Sequence, residues 1–141
     1  MDILYSTEGK NERGVGYGLL LDIFIATSLW SSLAYMIYNK LSLKSFKLAN
    51  AETEILCKQK MVSLCHGSSA LLLSTYQLFS HGDIWGLCEN APTNLAYWTL
   101  TSSGGYFIHD TAMMYILNRV DYEMVAHHVV CVLGVLESHY Y

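Results

Sequence analysis

Basic residues are missing from the middle of this 141-residue chain: no Lys or Arg occurs between Lys60 and Arg119. Charged residues of both signs make up only 14% of the sequence, whereas an ordinary soluble domain contains about 25%. A soluble helical bundle needs charged residues on the outer face of every helix. The gap therefore argues against that class and favours a protein embedded in a membrane.

Several kinds of binding site also lack their sequence patterns. The four cysteines are irregularly spaced and include no CxxC pair, so we predict neither a zinc site nor a disulfide framework. A metal held by His and Asp side chains is an alternative, but no HExxH or HxxxH spacing occurs, and we predict no metal and no cofactor. No basic stripe or nucleic-acid motif is present, which excludes nucleic acid as a partner.

Four apolar stretches follow one another along the chain, at residues 15–38, 61–79, 94–117 and 124–141. Each is close to the ~20 residues that cross a hydrocarbon core of ~30 Å. The last three are rich in Ser, Thr, Gly and His, and small residues allow helices to pack closely in a membrane. The pattern predicts an all-α fold: a polytopic transmembrane helical bundle with about four spans.

The segments between these stretches predict the orientation. Residues 39–60 carry five lysines, and Arg119 lies in the link between the third and fourth stretches. By the positive-inside rule, this Lys-rich loop and the link lie in the cytosol. The N-terminal segment 1–14 then faces the lumen or the exterior. We predict a multi-pass protein of the endoplasmic reticulum, with the plasma membrane as the alternative.

Ionisable residues occur inside three of the stretches at similar depth. At 1.5 Å per residue, His66 lies roughly 8 Å, Asp110 roughly 10 Å and the pair His127-His128 roughly 5 Å from the cytosolic ends of their helices. Such groups are costly in a membrane and typically functional. We predict that the four residues form one polar layer between helices.

The chemistry of this layer is complementary. Asp110 can accept a hydrogen bond from an imidazole and fix its tautomer, and an oriented imidazole can act as a general base or a nucleophile. Neighbouring residues on a helix point about 100° apart, so only one of His127 and His128 can face the layer. Structural interpretations stay open: His66 as a contact between helices, Asp110 as a group that fixes the register of the bundle, and His109 as a non-catalytic helix contact.

Three segments, in this order, resemble the TLC-domain family of membrane proteins, which includes the ceramide synthases. They are KMVSLCHGSSALLLSTY with His66, GGYFIHDTAMMY with Asp110, and MVAHHVVCVLGV with His127-His128. Within this family, the sequence resembles the smaller TLC-domain-containing transmembrane proteins more than the ceramide synthases. Ceramide synthases have further Arg, His and Asp residues after the His pair and more helices. The resemblance therefore implies that residues 61–141 are a partial TLC domain in a truncated form.

The resemblance implies a non-enzymatic or regulatory role in membrane lipid homeostasis, with membrane lipids as partners. One alternative is an acyltransferase of the ceramide-synthase type with acyl-CoA as co-substrate. Its catalytic residues would be His127, His128, Asp110 and His66, with one of the paired histidines activating an amine or carrying the acyl group. The other alternative is an inactive truncated isoform that forms homo-oligomers or associates with the full-length protein.

Overall fold

The computed structural model describes residues 15–40, 50–81 and 94–138. These residues form four α-helices and, within those ranges, no β-strand: α1 (Val15–Lys40), α2 (Ala51–His81), α3 (Asn94–Ile116) and α4 (Tyr122–Ser138). The all-α prediction is confirmed. The predicted N-terminal segment 1–14, residues 41–49 of the predicted Lys-rich loop, residues 82–93 between α2 and α3, and residues 139–141 lie outside the described residues.

The prediction was wrong at the start of α2. Residues 39–60 were expected to form a Lys-rich loop, but α2 begins at Ala51 and contains the last ten of these residues. The Asn50 side chain explains the early start, because its Oδ1 accepts a hydrogen bond of 2.8 Å from the backbone N–H of Thr53. Glu52 and Glu54 lie in the first turn, where the helix dipole favours negative charge.

The central helix of the described bundle is α3, which contacts α1, α2 and α4. Two adjacent glycines of α3 contact two different helices. A Cβ atom on Gly105 would lie 2.6 Å from Cβ of Ala26 and 2.7 Å from the backbone nitrogen of Thr27, so only glycine allows α1 to pass this close. A Cβ atom on Gly104 would lie 3.4 Å from Cγ1 of Val135 on α4, which is close to ordinary van der Waals contact.

A short link joins α3 to α4. Asn118 has a positive φ of 53°, and the backbone N–H groups of Asn118 and Arg119 donate to carbonyls in the last turn of α3 at 3.0 and 2.9 Å. These two bonds form a Schellman motif. The side chain of Asp121 then caps α4 by accepting from two backbone N–H groups at 3.0 and 3.3 Å. The link places α4 antiparallel to α3 and brings His128 to Asp110.

Basic side chains hold this same end of the bundle together. The ammonium group of Lys58 is buried, donates to the backbone carbonyl of Tyr38 at 2.9 Å and pairs with Glu54 at 2.7 Å. The carbonyl belongs to the last turns of α1, where the helix dipole favours a cation. Arg119 forms an ion pair with Glu52 and so joins the α3–α4 link to the first turn of α2.

The described helices bury polar side chains and expose large apolar ones. The buried polar residues are Lys58, Thr99, Thr101, His109, Asp110 and His128. Large exposed apolar residues occur on all four helices, including Phe24, Leu71, Ile116 and Val130. A soluble protein buries most of its large aliphatic residues, so this surface is the kind that suits contact with lipid.

Within the described part of the chain, one helix is long and apolar enough to cross a membrane, namely Gly18–Lys40 within α1. Among the other three helices, α2 and α3 are less apolar because they contain many Ser, Thr, Gly and His residues and, in α2, several charges. The described part of α4 is only 17 residues long. Length and composition therefore support one of the four predicted spans, and the other three stay predictions.

Candidate functional site

Asp110 connects three helices. Its carboxylate is on α3 and largely buried. Oδ1 accepts a long hydrogen bond of 3.4 Å from the side-chain amide of Gln59 on α2. Oδ2 lies 3.8 Å from Nε2 of His128 on α4. The carboxylate is therefore the point at which α2, α3 and α4 meet through polar groups.

The two histidines of α4 point in different directions, as their spacing on a helix predicts. His128 is only 3% exposed, and its Nδ1 lies 3.1 Å from the hydroxyl oxygen of Thr111. His127 is exposed, and its Nε2 lies 3.6 Å from the sulfur of Cys131, one turn further along α4. His128 is therefore the histidine of the pair that faces the polar layer.

His66 lies in a cluster of aromatic rings. Its ring stacks on Tyr106, with centroids 3.9 Å apart and planes 8° apart, and meets Trp30 edge-on at 5.5 Å. Phe107 contacts the rings of both His66 and His128, at centroid distances of 5.5 and 5.1 Å. The structure thus joins His66 to His128 through one intervening ring.

Two further ionisable residues make contacts between α1 and α3. The buried His109 has its Nδ1 3.0 Å from the hydroxyl oxygen of Ser31, which is the helix contact that the structural interpretation predicted. The hydroxyl of Tyr97 donates to Oδ2 of Asp22 at 2.5 Å. His109 and Asp22 therefore each form a hydrogen bond between α1 and α3, and neither takes part in the Asp110 contacts described above.

Sequence reasoning missed several partners of the predicted residues. Gln59 was assigned to the loop, although residues 59, 63 and 66 have the i, i+4, i+7 spacing of one helix face. Ser63, on that face, accepts a hydrogen bond of 2.9 Å from the hydroxyl of Tyr106. Thr111 also gave no signal, because a hydroxyl residue in an apolar stretch is typical of ordinary helix packing.

The hydroxyl of Tyr38 is buried near the cytosolic end predicted for α1, and no hydrogen-bond partner is found for it among the described residues. Its side chain packs against a cluster formed by Ala34, Val62 and Tyr106. A buried donor of this kind normally has a partner. The hydroxyl of Tyr38 is therefore a buried polar group at the contact of α1, α2 and α3 with no hydrogen-bond partner among the described residues.

An apolar cavity of about 350 Å³ lies between α3 and α4, beside His128. We refer to it as the α3–α4 groove. Apart from Thr111 and His128, its wall is formed by apolar and aromatic side chains: Phe107, Ile108, Ala112, Tyr115, Val129, Val132 and Leu133. A cavity of this size and character is within the range of small-molecule sites, which combine an apolar wall with a few polar groups.

The arrangement sets limits on the chemistry. The Asp110–His128 pair can hold or move a proton, because a carboxylate beside an imidazole orients the ring and stabilises its charged form. Nε2 of His128 faces this carboxylate, Nδ1 faces the hydroxyl of Thr111, and the side chain is almost fully buried. The described residues contain no group of three or more His, Cys, Asp or Glu side chains that could hold a metal ion.

Residues 57–141 match the model of the TLC domain. The chain belongs to the TLC-domain family. The match begins in α2, two residues before Gln59, and includes all of α3 and α4, so Asp110, Gln59 and His128 all lie within the TLC domain. The family consists of lipid-related membrane proteins, which makes this chain a membrane protein. No curated protein and no solved structure matches it significantly.

Proposed function

We propose that this TLC-domain protein is a multi-pass membrane protein that binds a membrane lipid in the α3–α4 groove. Its role is regulatory or non-enzymatic and belongs to membrane lipid homeostasis. The observation that carries the proposal is the groove itself, since its apolar wall contains one buried polar side chain, His128. A lipid likewise combines an apolar chain with a polar group.

The energetics of a membrane favour recognition at the polar end. A lipid chain that leaves the bilayer for the groove exchanges one apolar environment for another, so it gains little from the hydrophobic effect. Selectivity must then come from shape and from polar contacts. Around the groove these are the hydroxyl of Thr111, the ring of His128 and the carboxylate of Asp110 behind it.

Large apolar side chains exposed on all four described helices support a multi-pass arrangement. The basic residues at one end of the bundle, Lys58 and Arg119, support a cytosolic position for that end. We propose the endoplasmic reticulum as the location. A glycosylation acceptor introduced between residues 41 and 49 should stay unmodified, and its modification would refute the orientation.

Photoaffinity labelling tests the lipid proposal. Cells that express the full chain are fed a fatty acid with a diazirine in its chain, and the protein is purified and washed in detergent to remove exchangeable lipid. After irradiation, we expect labelled peptides to map to Ile108, Val129 and Leu133, in the wall of the groove. Two adjacent valines of α4 give a matched pair of variants, because Val129 lines the groove and Val130 does not.

Val129→Trp should fill the groove and reduce the retained label several-fold, whereas Val130→Trp should leave it unchanged. Circular dichroism of both variants confirms that the helices are intact. Equal labelling of the two variants, or labelling spread evenly over the exposed faces of all four helices, would contradict the proposal.

A second candidate is the acyltransferase, and the Asp110–His128 pair is the observation that favours it. The exposed His127 has a sulfur and an aromatic ring beside it, whereas His128 has the carboxylate but is buried. Labelled acyl-CoA and sphingoid bases in membranes containing the full chain separate the two candidates. Under the favoured proposal we expect no incorporation above background. Incorporation that is lost in His128→Ala would establish the acyltransferase.

A further inference from the structure

Several hydroxyl groups in the helix contacts have already donated their only hydrogen. The hydroxyl oxygen of Thr111 lies 2.8 Å from the backbone carbonyl oxygen of Phe107, one turn earlier. Two oxygens this close repel each other unless a hydrogen lies between them, and a carbonyl can only accept. The hydrogen of Thr111 therefore points to Phe107, and toward any other neighbour the hydroxyl can act only as an acceptor.

Two other hydroxyls in the contacts between helices donate in the same way to the carbonyl four residues earlier. Ser31 and Ser103 donate to their own helices at 2.8 and 3.0 Å. Each of them also contacts a histidine, with Ser31 3.0 Å from Nδ1 of His109 and Ser103 3.2 Å from Nε2 of His66. Because both hydroxyls can only accept, both ring nitrogens must carry a hydrogen.

For His128 the consequence reaches the carboxylate. Thr111 accepts from Nδ1 at 3.1 Å, so Nδ1 carries the proton of the neutral ring and Nε2 is left with a lone pair. This lone pair lies 3.8 Å from Oδ2 of Asp110. Two groups that only accept hydrogen bonds then face each other in a buried position, which is unfavourable unless a hydrogen lies between them.

We propose that Thr111 is a positioning residue: its hydroxyl holds a proton on Nδ1 of His128, so that Nε2 and the Asp110 carboxylate together take one further hydrogen. That hydrogen is an additional proton or belongs to a hydroxyl or amino group of a bound molecule. The consequence for the ligand deepens the proposed lipid function and rests on it. The site should then select a polar end that donates hydrogen bonds over one, such as an ester or a phosphate diester, that only accepts them.

The tautomer can be measured without any lipid. The full chain is labelled with [15N]histidine, purified in detergent, and its ring nitrogens are observed by NMR, with the His128 signals assigned from a His128→Gln sample. We expect Nδ1 of His128 to be protonated in the wild type. Thr111→Val removes the acceptor at nearly constant volume, and Thr111→Ser is the matched control that keeps it.

In Thr111→Val we expect the proton to move from Nδ1 to Nε2, where it can be donated to Asp110, whereas Thr111→Ser should keep the wild-type pattern. An unprotonated Nδ1 in the wild type would overturn the proposal. The spectra are compared at a pH at which one of the two ring nitrogens of His128 is unprotonated, so that the tautomer of the neutral ring is observed. A neutral ring that still carries its hydrogen on Nδ1 in Thr111→Val would show that Thr111 does not position it. Either result leaves the photoaffinity test of lipid binding unaffected, so the two proposals fail separately.

Discussion

The two sides of α3 are built differently, although adjacent residues form them. Toward α1 the backbones touch at Gly105, and side-chain hydrogen bonds cross the contact from Trp30 to Ser102, between Ser31 and His109, and from Tyr97 to Asp22. Toward α4 the contact at Gly104 is looser, and a cavity remains. The contact of α3 with α1 is closely packed and hydrogen-bonded, whereas its contact with α4 leaves room for a ligand beside the polar groups.

The largest effect is expected at the closely packed contact between α3 and α1. In Gly105→Ala the new Cβ would lie 2.7 and 2.8 Å from backbone atoms of α1 and 2.6 Å from Cβ of Ala26, and a backbone cannot move aside as a side chain can. We expect a loss of roughly 2–3 kcal/mol in the free energy of unfolding, as for overpacked cores. Gly104→Ala is the control, with a change below about 1 kcal/mol because only the side chain of Val135 has to adjust. Unfolding in detergent with increasing denaturant measures both, and equal losses would remove the distinction between the two sides.

A second pair of variants compares the hydroxyls that contact histidines on each side. Ser31→Ala leaves the N–H of buried His109 without its acceptor, which should cost about 1–2 kcal/mol of stability. Thr111→Val should cost less, because His128 can move its proton to Nε2 and donate to Asp110. The same unfolding assay applies. A larger loss for Thr111→Val would mean that the groove side is the more strongly fastened of the two.

The smallest expected effect is a gain in stability. Tyr38→Phe removes a buried hydroxyl for which no partner is found among the described residues. An unsatisfied buried polar group is unfavourable, so its removal should raise the free energy of unfolding by about 1 kcal/mol. Tyr35→Phe, at an exposed position on the same helix, is the control and should change nothing. A loss of stability in Tyr38→Phe would indicate that the hydroxyl has a partner, such as a water molecule, in solution.

Much of the candidate site could be predicted from the sequence because ionisable residues stand out in apolar stretches. Asp110 and His128 were found in this way, and helix geometry predicted that only one residue of the His pair would face the layer. Which one does so could not be predicted, because that depends on how α4 is rotated against α3. Gln59 was missed for a local reason: the Asn50 cap extends α2 into a segment whose lysines are typical of a loop.

Hydroxyl residues carry the least information in a sequence of this kind. In the sequence, nothing distinguishes Thr111, Ser31 and Ser103 from the many Ser and Thr residues that only pack between helices. Their roles depend on which atom of the neighbouring helix their hydroxyl contacts. The glycines were recognised as sites of close packing, but their partners were not. Gly105 meets α1 and Gly104 meets α4 because consecutive residues on a helix point about 100° apart, and only the position of the neighbouring helices turns this into two different contacts.

The short link between α3 and α4 has a consequence for the order of assembly. Thr111 and His128 are separated by 17 residues, whereas Ser31 and His109 are separated by 78. Closing a short loop costs less entropy than closing a long one, and local contacts form earlier. The ligand side of α3 can therefore form within a single helical hairpin as the chain is inserted, before the hairpin docks against α1. The groove would then exist before the rest of the bundle is complete.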